Sequence, residues 1–62
     1  MKQIEEANKL ANEFISNHPF QKEIVEDLLQ LMKGEIEAGE SPNNELELFK
    51  ESLQELEEDG KL

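Results

Sequence analysis

Apolar residues recur along this chain with the period of an α-helix in three blocks, and two proline-marked breaks separate them. From Lys2 to Ser16 they fall at Ile4, Ala7, Leu10, Ala11, Phe14 and Ile15, inside an arc of roughly 140° at 100° per residue. Glu5 and Lys9 add an i,i+4 pair in the favourable order. The block holds no Gly or Pro and predicts a helix over 2–16. Asn17-His18-Pro19 interrupts it, because the residue before a proline is pushed out of the α region while Pro suits a first helical turn. Asn17 or His18 is therefore the expected N-cap of a second helix.

That second block is the most apolar run of the chain. Between Phe20 and Ile36 it carries Phe20, Ile24, Val25, Leu28, Leu29, Leu31, Met32 and Ile36, which cover roughly half the helix circumference, wider than the ~100° stripe of an ordinary surface helix. A helix apolar over half its surface has two neighbours to cover, which makes it the central member of a small bundle. It is expected over 19–38. Gly34 falls on its polar side at a cost of about 1 kcal/mol relative to Ala, and Gly39 is the natural residue to end it with a positive φ. Glu35 falls within the apolar arc near the helix end, where it is expected to bend outward to solvent, since lone carboxylates are rarely buried.

Glu40-Ser41-Pro42-Asn43-Asn44-Glu45 is a helix-start signal: Ser41 as N-cap, Pro42 at the first helical position, and Glu45 and Glu47 near the positive end of the helix dipole. So short a connection makes helices two and three antiparallel neighbours. The third helix is expected over 42–58, with Leu46, Phe49, Leu53 and Leu56 in a narrow 3-4-3 seam and Leu48 pointing away from it. Asp59-Gly60-Lys61-Leu62 is expected to end this helix and fray. The predicted fold is all-α, a single up-down-up three-helix bundle spanning 1–62. Its expected core is Ile4, Leu10, Ala11, Phe14, Phe20, Ile24, Leu28, Leu31, Met32, Ile36, Leu46, Phe49, Leu53 and Leu56. The alternative is a helical hairpin that dimerises, because a core this small leaves the central helix with apolar surface to spare.

Composition narrows the function classes more than it selects one. Sixteen acids against six lysines give a formal charge of −10, the wrong sign for a nucleic-acid backbone or an anionic membrane surface. There is no cysteine and one histidine, so neither a structural zinc nor another nitrogen-ligated metal site is expected; no cofactor motif is present, and the calcium-loop and phosphate-loop patterns are both missing. His18 has no second His or Cys to form a nucleophile–base pair, and a turn position explains it. Three short helices do not readily enclose a substrate pocket of ~300 Å³, so the chain is expected not to be an enzyme. No apolar run reaches the ~20 residues of a membrane span, and Met1-Lys2-Gln3-Ile4-Glu5-Glu6 does not read as a signal peptide. A soluble cytoplasmic protein, monomer or weak homodimer, is the expectation.

One constellation stands out. Glu47, Glu51, Glu55 and Glu58 fall in an arc of roughly 80° on helix three, and like charges at i,i+4 each cost a few tenths of a kcal/mol. Helices one and two interleave lysines where this face has none. The bland explanation is a solvated face of an acidic protein. The sharper one is a contact ridge for a basic protein partner with Leu48 as its apolar anchor, a variant of which is mimicry of nucleic-acid charge. The competing class is a structural role, in which apolar surface on helix two or at Leu48 drives self-association.

Overall fold

The computed structural model describes residues 1–59. Three helices, α1 (Lys2–Asn17), α2 (Lys22–Glu37) and α3 (Pro42–Asp59), pack pairwise against one another, with a 3-10 turn at Pro19–Gln21 between the first two. The body measures 36 × 16 × 15 Å, the proportions of a short bundle. Cross-links between helix ends show the up-down-up course. Gln3 Nε2 donates to Asn43 Oδ1 at 2.9 Å, joining the starts of α1 and α3. Gln21 Nε2 donates to the Leu56 carbonyl at 3.2 Å, joining the approach to α2 to the far end of α3.

The helix boundaries follow the local chemistry. At the end of α2 the Gly39 N–H reaches the Ile36 carbonyl and the Glu40 N–H the Glu35 carbonyl, both at 3.0 Å. Gly39 itself has φ +108°. This pair of bonds around a glycine at positive φ is the Schellman termination, which satisfies carbonyls the helix leaves open. Glu35, one turn before the end, is partly exposed. Gly34 stays helical within α2. At the start of α3 the Ser41 hydroxyl lies 3.5 Å from the Asn44 N–H, a long but correctly placed cap, and the Ser41 carbonyl accepts from Glu45 at 3.0 Å. The expected end of α3 within 59–62 lies outside the described residues apart from Asp59, which is still helical.

The beginning of the second block departs from expectation. His18 is neither α1 nor α2: with φ −137° and ψ 66° it closes α1 through its N–H to the Phe14 carbonyl, 2.8 Å, and opens the Pro19–Gln21 turn. Its ring rests against the Phe14 ring, with centroids 4.4 Å apart. The regular helix begins only at Lys22, so Phe20 sits in a tight turn before α2.

The core also differs from expectation on α2. Its buried members are Ala7, Ala11, Val25, Met32, Leu46, Phe49 and Leu53, with Ile4, Leu10, Phe14, Ile15, Leu28, Leu29, Ile36 and Leu56 packed around them. Phe20, Ile24 and Leu31, expected inside, are 100%, 50% and 60% exposed. Ala7 and Val25, left out of the expected core, are both fully buried. The reason is geometric. The line of α2 facing the bundle axis runs through Val25 and Met32, seven residues apart, with Leu28 on one shoulder and Leu29 and Ile36 on the other. Two neighbouring helices cover that arc and no more. On α1 the buried positions are Ala7 and Ala11, and they belong with Val25 and Met32 to one core cluster. An apolar arc of half the circumference therefore exceeds what two neighbours bury, and its outer edge is left in solvent.

Candidate functional site

The outer edge of α2 and the adjoining flank of α3 form the most distinctive surface of the molecule. Ile24 and Leu31 are seven residues apart on α2, two turns along one face, and Phe20 lies one turn before Ile24. Gln21 holds that turn in place through its bond to the Leu56 carbonyl, while its own Oε1 has no hydrogen-bond partner among the described residues. Phe20 is thus presented outward by a pinned turn. Beside this stripe a groove of about 50 Å³ runs between α2 and α3, walled by Leu28, Leu31 and Met32 on one side and Glu45, Phe49 and Ser52 on the other. Leu48 falls three residues after Glu45 and four before Ser52, which puts it on the same flank of α3, and it is 54% exposed. By helical spacing Ile24 and Leu31 on α2 and Leu48 on α3 edge one apolar strip along the α2–α3 seam, and Phe20 is exposed in the turn that leads into α2.

Carboxylates border this strip on both sides. By helical spacing Asp27 and Glu35 follow the stripe on α2, Asp27 being three residues after Ile24 and four before Leu31, and Glu35 four after Leu31. Glu45 lies in the groove wall, and Glu51 and Glu55 follow Leu48 at three and seven residues. The lysines lie elsewhere. Lys22 and Lys33 are roughly half a turn round α2 from the stripe. Lys2 and Lys9 belong to α1, and Lys50 points toward α1, its Nζ 3.2 Å from Glu6 Oε2.

All four carboxylates of the expected ridge, Glu47, Glu51, Glu55 and Glu58, are exposed on the outer face of α3. Lys50 Nζ reaches Glu47 Oε1 at 4.0 Å, so the first ridge residue has a cation at its shoulder, and among the described residues the other three have no ion pair. The ridge meets the apolar strip only at Leu48. Sequence reasoning found Leu48 and the acids but placed Phe20, Ile24 and Leu31 in the core, which hid the strip. The available signal was the excess width of the apolar arc: eight apolar positions on a helix with two partners leave some uncovered.

A second depression lies between α1 and α3, open to solvent, with a volume of about 520 Å³ and walls that include Lys2, Lys9, Lys50 and Glu6. It is an open depression of the surface and not an enclosed pocket. Its rim is a mixed set of exposed charges spanned by the Lys50–Glu6 pair, and such exposed pairs rearrange readily in water. Among the described residues no three His, Asp or Glu side chains converge to hold a metal ion, and no helix is long and apolar enough to cross a membrane. Comparison with protein-family models, curated proteins and solved structures gave no match to this chain.

Proposed function

We propose that this chain is a small, non-enzymatic protein-interaction module that binds, and by binding inhibits or recruits, a basic protein partner. The observation that carries the reading is the solvent exposure of Ile24, Leu31 and Leu48, which helical spacing sets along the α2–α3 seam, together with that of Phe20 in the turn before α2. Exposed apolar residues scattered singly are ordinary, whereas a contiguous strip rimmed by polar groups is characteristic of an interaction surface. Fully burying such a side chain is worth about 1.5–3 kcal/mol, which the fold forgoes wholly at Phe20 and roughly by half at Ile24, Leu31 and Leu48. The acidic border and the Glu47, Glu51, Glu55, Glu58 ridge supply the sign of charge the partner must complement, and charge of this kind acts mainly on association rate and selectivity.

The strip also supports the competing reading, self-association through α2 and Leu48. Charge weighs against it: each copy carries a formal −10, and a two-fold contact would set the acidic borders of two copies against each other, which is unfavourable for like charges. The test is a comparison of the native chain with a Phe20→Ser, Leu31→Ser variant as bait in the source cells. Both positions are exposed, so the variant keeps the native circular dichroism. A basic protein retained by the native chain and lost by the variant is the expected result. Retention of the same set by both baits overturns the assignment of the binding face.

A further inference from the structure

We infer that the occupant of the α2–α3 seam is a single amphipathic helix with lysines or arginines on both flanks of its apolar stripe, laid along the groove as a fourth helix. This rests on the interaction-module reading and specifies the form and chemistry of the partner. Three observations select it. The first is shape. A hollow of about 50 Å³ lies between the antiparallel α2 and α3, and a third helix seats a ridge of side chains along the seam of two such helices at the spacing of ordinary helix packing. An extended peptide has nothing comparable to add to, because the described elements are all helical and offer no strand edge.

The second observation is extent. Phe20 to Leu31 is eleven residues, about 16 Å at 1.5 Å per residue, within a body 36 Å long. A helix of about 14 residues, four turns, spans it. Fully exposed, Phe20 offers on the order of 200 Å², and the half-exposed Ile24, Leu31 and Leu48 together add a comparable amount. That apolar area is about half of the ~800 Å² per partner in a standard stable interface. The remainder of any contact falls on the border.

The third observation is the composition of that border. Asp27 and Glu35 lie on the α2 side and Glu45, Glu51 and Glu55 on the α3 side, while the five lysines of the described residues lie away from it. A helix whose apolar stripe meets the strip therefore sets both its flanks against carboxylates. Basic flanks complete the contact, and acidic flanks, including those of a second copy, oppose it.

The probe is a designed 14-residue peptide with leucines at helical three- and four-residue spacing and lysines on both flanks, compared with the same peptide carrying glutamates for the lysines. Binding to the full chain is read by fluorescence anisotropy, and the oligomeric state of the chain by sedimentation equilibrium. The lysine peptide is expected to bind at least about tenfold more tightly than the glutamate peptide, and to weaken severalfold between about 0.1 and 0.5 M salt. Ile24→Ser with Leu31→Ser, in a variant whose circular dichroism and melting temperature match the native chain, is expected to lower lysine-peptide affinity at least about tenfold. Leu48→Ser, on the other helix, serves as the second variant and lowers it in the same direction. Equal binding of the two peptides, abolished by Ile24→Ser with Leu31→Ser, overturns the basic-helix assignment while the interaction face stands. Binding of either peptide that ignores all these substitutions, or no binding at all, overturns the use of this seam. A dimer that dissociates on Ile24→Ser with Leu31→Ser makes a second copy the occupant and overturns the proposal as well.

Discussion

At the scale of single residues, the fold rests on a few positions whose neighbours in sequence count for little. Met32 is buried on the axis of the bundle and Leu31, the adjacent residue, is mostly in solvent. Met32→Ala is expected to cost about 2–5 kcal/mol, a large share of the stability of a domain this small, because it removes core contacts and leaves a cavity. Leu31→Ala and Leu48→Ala are each expected to change stability by about 0.5 kcal/mol or less. Chemical denaturation of the three variants checks this, and a loss at Leu31 equal to that at Met32 would contradict the orientation of α2. The glycines give a second contrast, in sign. A Cβ at Gly34 meets nothing within 4 Å, and the residue is exposed and helical, so Gly34→Ala is expected to stabilise by about 0.5–1 kcal/mol through helix propensity. Gly39 also has open space around it, but its φ of +108° is one that side chains rarely adopt. Gly39→Ala is expected to destabilise by about 1 kcal/mol or more. Opposite shifts in melting temperature for the two variants are the measurement.

At the scale of elements, α2 and α3 each carry one face committed to the bundle and one that is not. The uncommitted face of α3 is the carboxylate ridge. Glu51→Gln with Glu55→Gln removes two charges from successive turns where Lys50 gives no relief, and the helix is expected to gain a few tenths of a kcal/mol from reduced i,i+4 repulsion. The same variant is expected to bind the lysine-flanked peptide more slowly and with a flatter salt dependence, since charges at the rim of a contact act mainly on the on-rate. Stopped-flow association at two salt concentrations reads both, and unchanged rates would leave the ridge a solvated face. The turn at Pro19–Gln21 is a smaller element with a defined anchor. Gln21→Ala removes the bond to the Leu56 carbonyl and is expected to cost about 0.5–1.5 kcal/mol, measured by thermal melting.

At the scale of the whole molecule, the governing quantity is a formal charge of −10 on 62 residues. Compaction brings these charges together and unfolding lets them separate, so raising salt from about 0.1 to 0.5 M is expected to increase the melting temperature as the Debye length falls well below the size of the body. A fall over that range would mean that specific pairs such as Lys50–Glu6 outweigh the net repulsion. The three helices, their order, the break at Pro19 and the boundaries at Gly39 and Pro42 were legible in the sequence, because 3.6-residue periodicity, proline and glycine act locally and need no knowledge of what packs where; the 3-10 turn that delays the start of α2 to Lys22 was not. The carboxylate ridge and the outward position of Leu48 were legible for the same reason, being properties of one helix. What the sequence left open was which part of the wide apolar arc of α2 would be covered. Periodicity gives the width of such an arc but not its phase against partners, and only the packing of α1 and α3, which buries Val25 and Met32 with Ala7 and Ala11, decided that Phe20, Ile24 and Leu31 would face water.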